Sequence, residues 1–437
     1  MNSHSKKLAL VFILIILVAI AAIAAYWYFM MGPTQPDSDP GENSGPDRFQ
    51  PFQRTPGARS PGGTVPATTT ASTTEPSSQA RIPALRLLSD TPVGGYGAST
   101  TASTTVVRWV DRGRGNIYEA NGLSLEIVTL SNTVVPRINE STWNRNLTAF
   151  IGSILESGSD NVKNIYAELL TRRVLTFTGT STATTSQELV GDFAPLELRG
   201  SALPGNIIAV AASPKRDRVF IFLDENGKGV GYTSSFNGAS LRKAFEIPLR
   251  HVIAEWPEEN TIIITTKGSA DQPGFVYSFD TKTSSFKKIV GPLPGLSAKI
   301  SHDGKHAIIS AASNDQGILT SIYSIVSGTA TDAVIRTLAG KCAWGNFYKE
   351  VVYCAVPTQP PAGTYPDDWH RGTISFTDKI WQVNAVTGEV KLVSNLLDQA
   401  DRLIDGFDLQ LDEKDNFLFF MNKTDLSLWS LDLISTE

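Results

Sequence analysis

A short apolar run that ends in an aromatic residue recurs along the chain, and this repeat restricts the possible folds more than any other feature. Successive aromatics are 48, 66, 45, 46, 58 and 48 residues apart. In four copies an apolar residue follows two positions later, as in VYSFD and LWSLD. That spacing is typical of a β-strand, because residues i and i+2 lie on the same face. The seven aromatics are Tyr118, Tyr166, Tyr232, Tyr277, Tyr323, Trp381 and Trp429.

Hairpins surround each aromatic strand. A polar turn between two apolar strands precedes it, as in SPKRD (213–217) and SHDGK (301–305), and a turn and another strand usually follow. Asp, Gly and Pro provide the backbone geometry of tight turns. Each unit is therefore predicted to contain strands a, b, c and d, with the aromatic on c. Four antiparallel strands in about 45 residues make a propeller blade. The predicted fold class is all-β, a seven-bladed β-propeller.

The segments SPKRD and SHDGK, each with its following apolar strand, resemble the repeats of TolB-like and other WD-type propellers. The Thr-Gly pair at 387–388, in a c–d hairpin, is similar too. The resemblance covers most of residues 81–437. It implies a propeller fold and brings no active site with it.

The last unit ends soon after its aromatic strand, since eight residues follow Trp429. Residues 85–91, which precede strand a of the first unit, resemble the d strands of the other units. We therefore predict a 3+1 closure, in which residues 85–91 supply strand d of the seventh blade and no sheet edge stays open. Six or eight blades remain alternatives if residues 167–205 are divided differently.

The first 31 residues predict a membrane anchor. Residues 8–31 form a 24-residue run without a charged side chain, preceded by Lys6 and Lys7. At about 1.5 Å per residue this run is long enough to cross a bilayer. The positive-inside rule places residues 1–7 in the cytoplasm and the remainder on the extracytoplasmic side. The alternative is a cleaved signal peptide, whose apolar region is usually shorter.

Residues 32–80 have the composition of a disordered linker. They contain 9 Pro, 6 Gly and 14 Ser or Thr. Few apolar side chains are present, so burial cannot offset the entropy lost on ordering. The sequence thus predicts four parts: residues 1–7 in the cytoplasm, a transmembrane helix at 8–31, a linker at 32–80 and a propeller at 81–437.

Both cysteines fall in one predicted hairpin. Cys342 and Cys354 are symmetric about Tyr348, in the turn between strands a and b of the sixth unit. Residues symmetric about an antiparallel turn face each other at near-disulfide distance. We expect a disulfide bond, in keeping with an oxidising compartment. The alternative is a pair of reduced, buried thiols.

Composition and motifs exclude several kinds of chemistry. A net charge of −5 argues against a nucleic-acid partner. Five His and two Cys leave little for a zinc site, and we expect no metal, cofactor or catalytic motif. Ser313–Gly317 matches only part of the sialidase Asp box. Asp412, Glu413 and Asp415 suggest calcium, but we favour a solvated hairpin turn. Three Asn-x-Ser/Thr sequences begin at Asn139, Asn146 and Asn422.

Two insertions interrupt the spacing of the repeat. One lies near residues 168–200, and the other, PTQPPAGTYPDDWHRGT (357–373), lies in the b–c connection of the sixth unit. Aromatic and charged residues of these types anchor many interfaces. The alternative is that Trp369 packs on its blade while the charges face solvent. The candidate partner-binding residues are Tyr365, Asp367, Asp368, Trp369, His370 and Arg371.

Together these features predict a single-pass, extracytoplasmic propeller that acts as a protein-binding or scaffold module of the cell envelope or of a surface appendage. The membrane through residues 8–31 and an envelope or appendage protein are the expected partners, with no nucleic acid. The alternative is a propeller enzyme, a glycan hydrolase or lyase, with carboxylates at the central channel. A third possibility is a purely structural envelope protein.

Overall fold

The computed structural model describes residues 82–101, 104–156, 158, 162–170, 196–313 and 317–435. The chain divides into two units, Met1–Pro76 and Ser77–Glu437, and the described residues all belong to the second. The predicted transmembrane helix at 8–31, the linker at 32–80 and residues 171–195 of the first insertion lie outside them. Among the residues described, no helix combines the length and the apolar character needed to cross a bilayer.

The described strands form seven four-stranded antiparallel sheets, which are the blades. The first strand in the chain is β1 (Leu85–Ser89). Blade 1 contains β2 (Val93–Thr100), β3 (Thr105–Asp111), β4 (Ile117–Asn121) and β5 (Ile127–Ser131). Blade 2 contains β6 (Ile138–Trp143), β7 (Ala149–Leu155), β8 (Val162–Leu170) and β9 (Glu197–Ala202). Blade 3 contains β10 (Ile207–Ala212), β11 (Arg218–Glu225), β12 (Lys228–Ser235) and β13 (Arg242–Ile247).

The remaining blades follow the same order. Blade 4 contains β14 (Val252–Glu258), β15 (Thr261–Thr266), β16 (Pro273–Asp280) and β17 (Ser285–Pro294). Blade 5 contains β18 (Ser297–Ile300), β19 (His306–Ser313), β20 (Gly317–Ser324) and β21 (Thr329–Asp332). Blade 6 contains β22 (Cys342–Trp344), β23 (Val351–Pro357), β24 (Asp378–Asn384) and β25 (Val390–Asn395). Blade 7 contains β26 (Gly406–Leu411), β27 (Phe417–Asn422), β28 (Leu428–Asp432) and β1.

Three short helical segments connect the strands of the last blades. A 3₁₀ turn, Ala339–Lys341, precedes β22. The one-turn helix α1 (Asp367–Arg371) lies in the b–c connection of blade 6, and α2 (Leu396–Ala400) follows β25. We call the face with the b–c and d–a connections the upper face, and the face with the a–b and c–d turns the lower face.

The seven-bladed fold and the 3+1 closure are confirmed. β1 pairs antiparallel with β28, with Leu85 opposite Leu431 and Leu87 opposite Trp429. The 66-residue spacing belongs to a single blade, because the extra residues lie between β8 and β9. Since strand d of blade 7 comes from the start of the propeller, the ring is closed by main-chain hydrogen bonds rather than by side chains alone.

The polar a–b turns share a local hydrogen bond that explains their composition. In four blades the side-chain oxygen of the first turn residue accepts a hydrogen bond from the main-chain N–H of the residue five positions later. This bond satisfies a donor that the turn would otherwise leave unpaired. The pairs are Asn144 with Ala149, Ser213 with Arg218, Ser301 with His306 and Asp412 with Phe417, at 3.0–3.1 Å.

Most of the hydrophobic core lies between neighbouring blades. Ile308 and Ile322 of blade 5 share one apolar cluster with Val352 and Val383 of blade 6. A second cluster joins blades 6 and 7 and includes Leu85 of β1. Because each sheet packs its faces on its two neighbours, the space at the ring centre is left for polar side chains.

The predicted disulfide is present. Cys342 and Cys354 lie opposite each other in the β22–β23 register, and their sulfur atoms are bonded with the Cα atoms 4.1 Å apart. Both residues are buried in the core between blades 5 and 6. The bond therefore links the innermost strand of blade 6 to its second strand.

Removing this bond should lower the free energy of unfolding by about 2–3 kcal/mol, because its loop is short. Chemical denaturation of the C342A/C354A variant against the oxidised wild type measures the effect. Wild type kept in reductant serves as the control, since its side chains retain their volume. A loss below about 0.5 kcal/mol in both samples would contradict the prediction.

Candidate functional site

The 357–373 insertion forms a strap across the upper face instead of a free loop. The Asp367 carboxylate accepts the main-chain N–H of Ala270, in the b–c connection of blade 4, at 2.7 Å. Tyr365 is buried against Ile318 of blade 5 and Phe376 of blade 6. The strap thus ties together the upper connections of three blades.

The structure places the six predicted binding residues in two environments. Tyr365 and Trp369 are buried, with 3% and 6% of their surface exposed. Asp368 accepts an N–H of Arg371 at 2.7 Å and caps the strap through the N–H of Thr364. His370 and Arg371 are exposed. The two aromatic anchors are therefore unavailable to a partner in this conformation, while partner binding by the charged residues stays a prediction.

Trp369 contacts a buried charge cluster that the sequence did not suggest. We call Lys341, Asp378 and Asp405 the buried triad; all three side chains are fully buried. The Lys341 ammonium donates to Asp378 at 2.8 Å and also to Asp405. The indole N–H of Trp369 donates to Asp405 at 2.9 Å, and the ring face lies 5.2 Å from the Lys341 Nζ. The strap is thus fixed to blades 6 and 7 by charge-assisted hydrogen bonds.

The buried triad contains two carboxyl groups and only one amine. Burial raises the pKa of Asp378 to about 6, against the opposing effect of Lys341, and the nearby Asp405 adds to the rise. One oxygen of Asp378, Oδ1, has no hydrogen-bond partner among the described residues, while Oδ2 accepts the N–H of Gly406 at 2.7 Å. These groups hold the upper ends of blades 6 and 7 together. Because they are fully buried, a dissolved ligand cannot reach them.

Titratable side chains also line the central channel. Cavities of about 480, 410 and 200 Å³ lie there, and the first of them shares wall residues with each of the other two. The Asp408 side chain lies on a bulge of β26, where φ is +49°, and it lines the two larger cavities. The Asp408 side chain is exposed within the channel, yet the protein around it raises its pKa by desolvation, and nearby Lys299 opposes this rise. Bulges of this kind redirect a side chain toward a functional space.

Deeper in the channel an ion pair crosses from blade 4 to blade 5. The Lys299 ammonium lies 2.7 Å from Glu255, whose charge raises the pKa of Lys299. Burial lowers the pKa of His302, at the lower end. Arg216 reaches from its turn to the main-chain oxygen of Ala98 at 3.1 Å. The channel is polar and of mixed charge, and most of its cations are already close to an acidic or main-chain partner.

The lower face carries an aromatic pair that sequence reasoning missed. Phe347 and Tyr348, in the a–b turn of blade 6, expose 65% and 51% of their surface and pack edge to face at 4.9 Å. We call residues 345–350 the aromatic turn. Of the aromatic side chains that the structure describes, these two are the most exposed. The sequence did contain a signal of their exposure: both residues lie at the tip of a turn, where an apolar side chain has no strand partner.

Asp415 of blade 7 holds the aromatic turn in place. Its carboxylate accepts the main-chain N–H groups of Asn346, Phe347 and Tyr348 at 2.7–3.1 Å. Burial raises the pKa of Asp415, and the three N–H donors oppose the rise. The turn is thus fixed by three charge-assisted hydrogen bonds from the neighbouring blade.

The expectation of a solvated turn at Asp412 and Asp415 was wrong. Both side chains are buried, 1% and 6% exposed, because each carboxylate binds main-chain or hydroxyl donors. Among the described residues no group of His, Cys, Asp and Glu side chains is arranged to hold a metal ion. Residues 314–316 of the partial Asp box lie outside the described residues. Of the three Asn-x-Ser/Thr sequences, Asn422 is buried and Asn146 is exposed.

Comparison with known proteins identifies no family. No family model matches the sequence. No curated protein matches it either. Many solved structures do match, all in the fold alone.

TolB from Acinetobacter baumannii is 11% identical, with a TM-score of 0.37 over 72% of this chain and 59% of TolB. An acylaminoacyl peptidase is 11% identical, with a TM-score of 0.45 over 77% of this chain and 51% of the peptidase. An oligogalacturonate lyase in complex with manganese is 10% identical, with a TM-score of 0.45 over 78% of this chain and 96% of the lyase. The chain therefore spans only about half to three fifths of the first two proteins. The described residues form a seven-bladed β-propeller.

Proposed function

We propose that this protein is a membrane-anchored, extracytoplasmic propeller that binds another protein of the cell envelope or of a surface appendage through the lower face. The observation that carries the proposal is the exposed aromatic pair of Phe347 and Tyr348, which pack on each other and whose main chain is held by Asp415. Aromatic side chains are enriched at interfaces, and a pair that is already ordered loses little entropy on binding. Three bonds from Asp415 provide that order.

Two further features support the location. Residues 8–31 have the length and composition of a transmembrane helix. The disulfide between Cys342 and Cys354 suits an oxidising compartment. Strand β1 begins at the lower face, where Leu85 pairs with Leu431. Nearby, the main-chain N–H of Leu433 donates to the main-chain oxygen of Asn416, in the a–b turn of blade 7.

The test is partner capture by the full-length chain and by two double variants. F347S/Y348S removes the aromatic pair, and V134S/V334S is the matched control, because these valines are 62% and 70% exposed on upper-face connections. We expect at least tenfold weaker capture by F347S/Y348S and unchanged capture by the control. Equal capture by both variants, or no species retained by the wild type, would refute the proposal.

A channel enzyme, a hydrolase or lyase, is the second candidate. The observation in its favour is the raised pKa of Asp408 in a cavity that Glu140 also lines. A carboxyl that keeps its proton closer to neutral pH is suited to general-acid catalysis. Variants of the aromatic turn distinguish the two candidate functions, because a reaction in the channel does not require that turn.

A further inference from the structure

The cavity of about 410 Å³ lies at the upper end of the channel, where blades 7, 1 and 2 meet. Its walls come from the innermost strands β26, β2 and β6 and from the b–c connections of blades 1 and 7, which carry Arg112 and Leu426. Pockets that hold small molecules enclose about 300–1,000 Å³, so this cavity suits a ligand at the small end of that range. We call it the upper cavity.

Groups of opposite charge line the upper cavity without pairing with each other. The guanidinium of Arg112 and the carboxylates of Glu140 and Asp408 all lie on its wall. Among the described residues, none of these three side chains has an ion-pair partner within 4.0 Å. Arg112 donates to the side-chain oxygen of Asn139, which leaves most of its N–H donors for a ligand.

The two carboxylates lie close enough to repel each other. Desolvation raises the pKa of Asp408, and the charge of Glu140 adds to that rise, while Lys299 and Arg216 oppose it from beyond ion-pair distance. Gln410 is the hydrogen-bond partner of the Asp408 side chain, at 3.5 Å, and the Glu140 side chain has none within the described part of the chain. A bound cation would therefore stabilise both ionised carboxylates.

Blade 7 adds an apolar side to the same cavity. Phe407 and Met421 lie opposite each other in the β26–β27 register, and Leu426 follows in the b–c connection. Met421 is buried, while the other two side chains are half-buried. A small apolar group of a ligand would be shielded from water against this side.

We propose that the upper cavity binds a small zwitterion, a free α-amino acid or a dipeptide with an apolar side chain. The carboxylate of the ligand pairs with Arg112, its ammonium group lies between Glu140 and Asp408, and its side chain packs on blade 7. A ligand that carries both charges satisfies both kinds of wall group, whereas a simple anion or cation would leave one kind unpaired. This site goes beyond the proposed function, since it lies on the face opposite the aromatic turn.

Isothermal titration calorimetry on the full-length chain tests the site with L-leucine, L-methionine, L-phenylalanine and the dipeptide L-leucyl-L-leucine. We expect binding of at least one of them, and the comparison of L-leucine with its dipeptide separates the two sources. The amide of the best ligand lacks the carboxylate, and its N-acetyl form lacks the ammonium group. Each should bind at least about tenfold more weakly, because each loses charge-assisted hydrogen bonds.

Variants assign the two charges of the ligand to the two sides of the cavity. R112Q should weaken binding of the zwitterion at least about tenfold and leave binding of the amide unchanged. The control R114Q removes an exposed arginine of the same connection and should bind like the wild type.

The double variant E140Q/D408N should weaken binding of the zwitterion by a similar factor and leave binding of the N-acetyl form unchanged. Asparagine suits position 408, where φ is +49°. The control E126Q/E389Q replaces two exposed carboxylates in c–d turns and should have no effect.

Three results would overturn the inference: no binding of any of the four ligands at millimolar concentration, equal binding of the zwitterion, its amide and its N-acetyl form, or unchanged affinity in both R112Q and E140Q/D408N. The comparison of the three ligand forms needs only the wild type, so it decides even if a variant fails to fold. F347S/Y348S should bind the zwitterion like the wild type. Partner capture and zwitterion binding can therefore fail independently.

Discussion

Replacing Lys341 by Met should lower the free energy of unfolding by about 3–5 kcal/mol, because it leaves two buried carboxylates without their cation. Asp378 and Asp405 have no exposed surface through which water could replace the ammonium. The loss also removes the cation from the faces of Trp369 and Phe376, 5.2 and 4.7 Å away. Since domains are stable by about 5–15 kcal/mol, this is a large fraction of the total.

Urea denaturation at neutral pH measures the effect, with K282M as the control. Lys282 is exposed in the c–d turn of blade 4, so its replacement should change stability by less than about 0.5 kcal/mol. K341M/D378N should recover part of the loss, because it removes one of the two unpaired charges. The deficit of K341M should also shrink as the pH falls toward 5, because protonation of Asp378, whose pKa burial raises, removes one of the two unpaired charges. Equal stability of K341M and K282M would show that the triad contributes nothing.

The closing strand β1 should contribute at least as much. Leu85 and Leu88 are buried, 6% and 3% exposed, and they belong to the apolar clusters on the two sides of blade 7. Because a buried Leu→Ala change costs about 2–5 kcal/mol, L85A/L88A should lose about 5 kcal/mol or more. The two losses should be additive, since the clusters are separate.

The control for this prediction lies in the same strand. Leu87 is 37% exposed, so L87A should lose less than about 1 kcal/mol. Tryptophan fluorescence during urea denaturation follows both variants, because Trp429 lies opposite Leu87 on β28. If L85A/L88A were as stable as L87A, closure of the ring by β1 would not stabilise the propeller.

Most of the fold was predictable because it depends on local patterns. Strand alternation around Tyr277 or Trp429 is decided within five residues, and turn chemistry at Ser213 or Ser301 within six. The pairing of Cys342 with Cys354 also follows from symmetry about one hairpin. Even the closing strand was recognisable, since it repeats the pattern of the other d strands.

The candidate site was less predictable, because burial depends on distant residues. Trp369 stands among charged neighbours in the sequence, which suggested a surface position. In the structure it is covered by Phe376 and bonded to Asp405, 36 residues away, beside Lys341. Asp415 likewise looked solvated, but the partners of its carboxylate lie in the neighbouring blade 6, 67–69 residues earlier in the sequence.

The sequence by itself predicted the strand order of each blade, the 3+1 closure and the disulfide, because strand alternation, turn residues and cysteine spacing are local patterns. The structure decided between seven blades and the alternatives of six or eight. Only the tertiary structure decided which aromatic side chains are covered and which are exposed. That choice depends on how adjacent blades pack, and no local pattern specifies the contacts across that boundary. The tertiary structure therefore moved the candidate partner surface from the strap at 357–373 to Phe347 and Tyr348 on the opposite face.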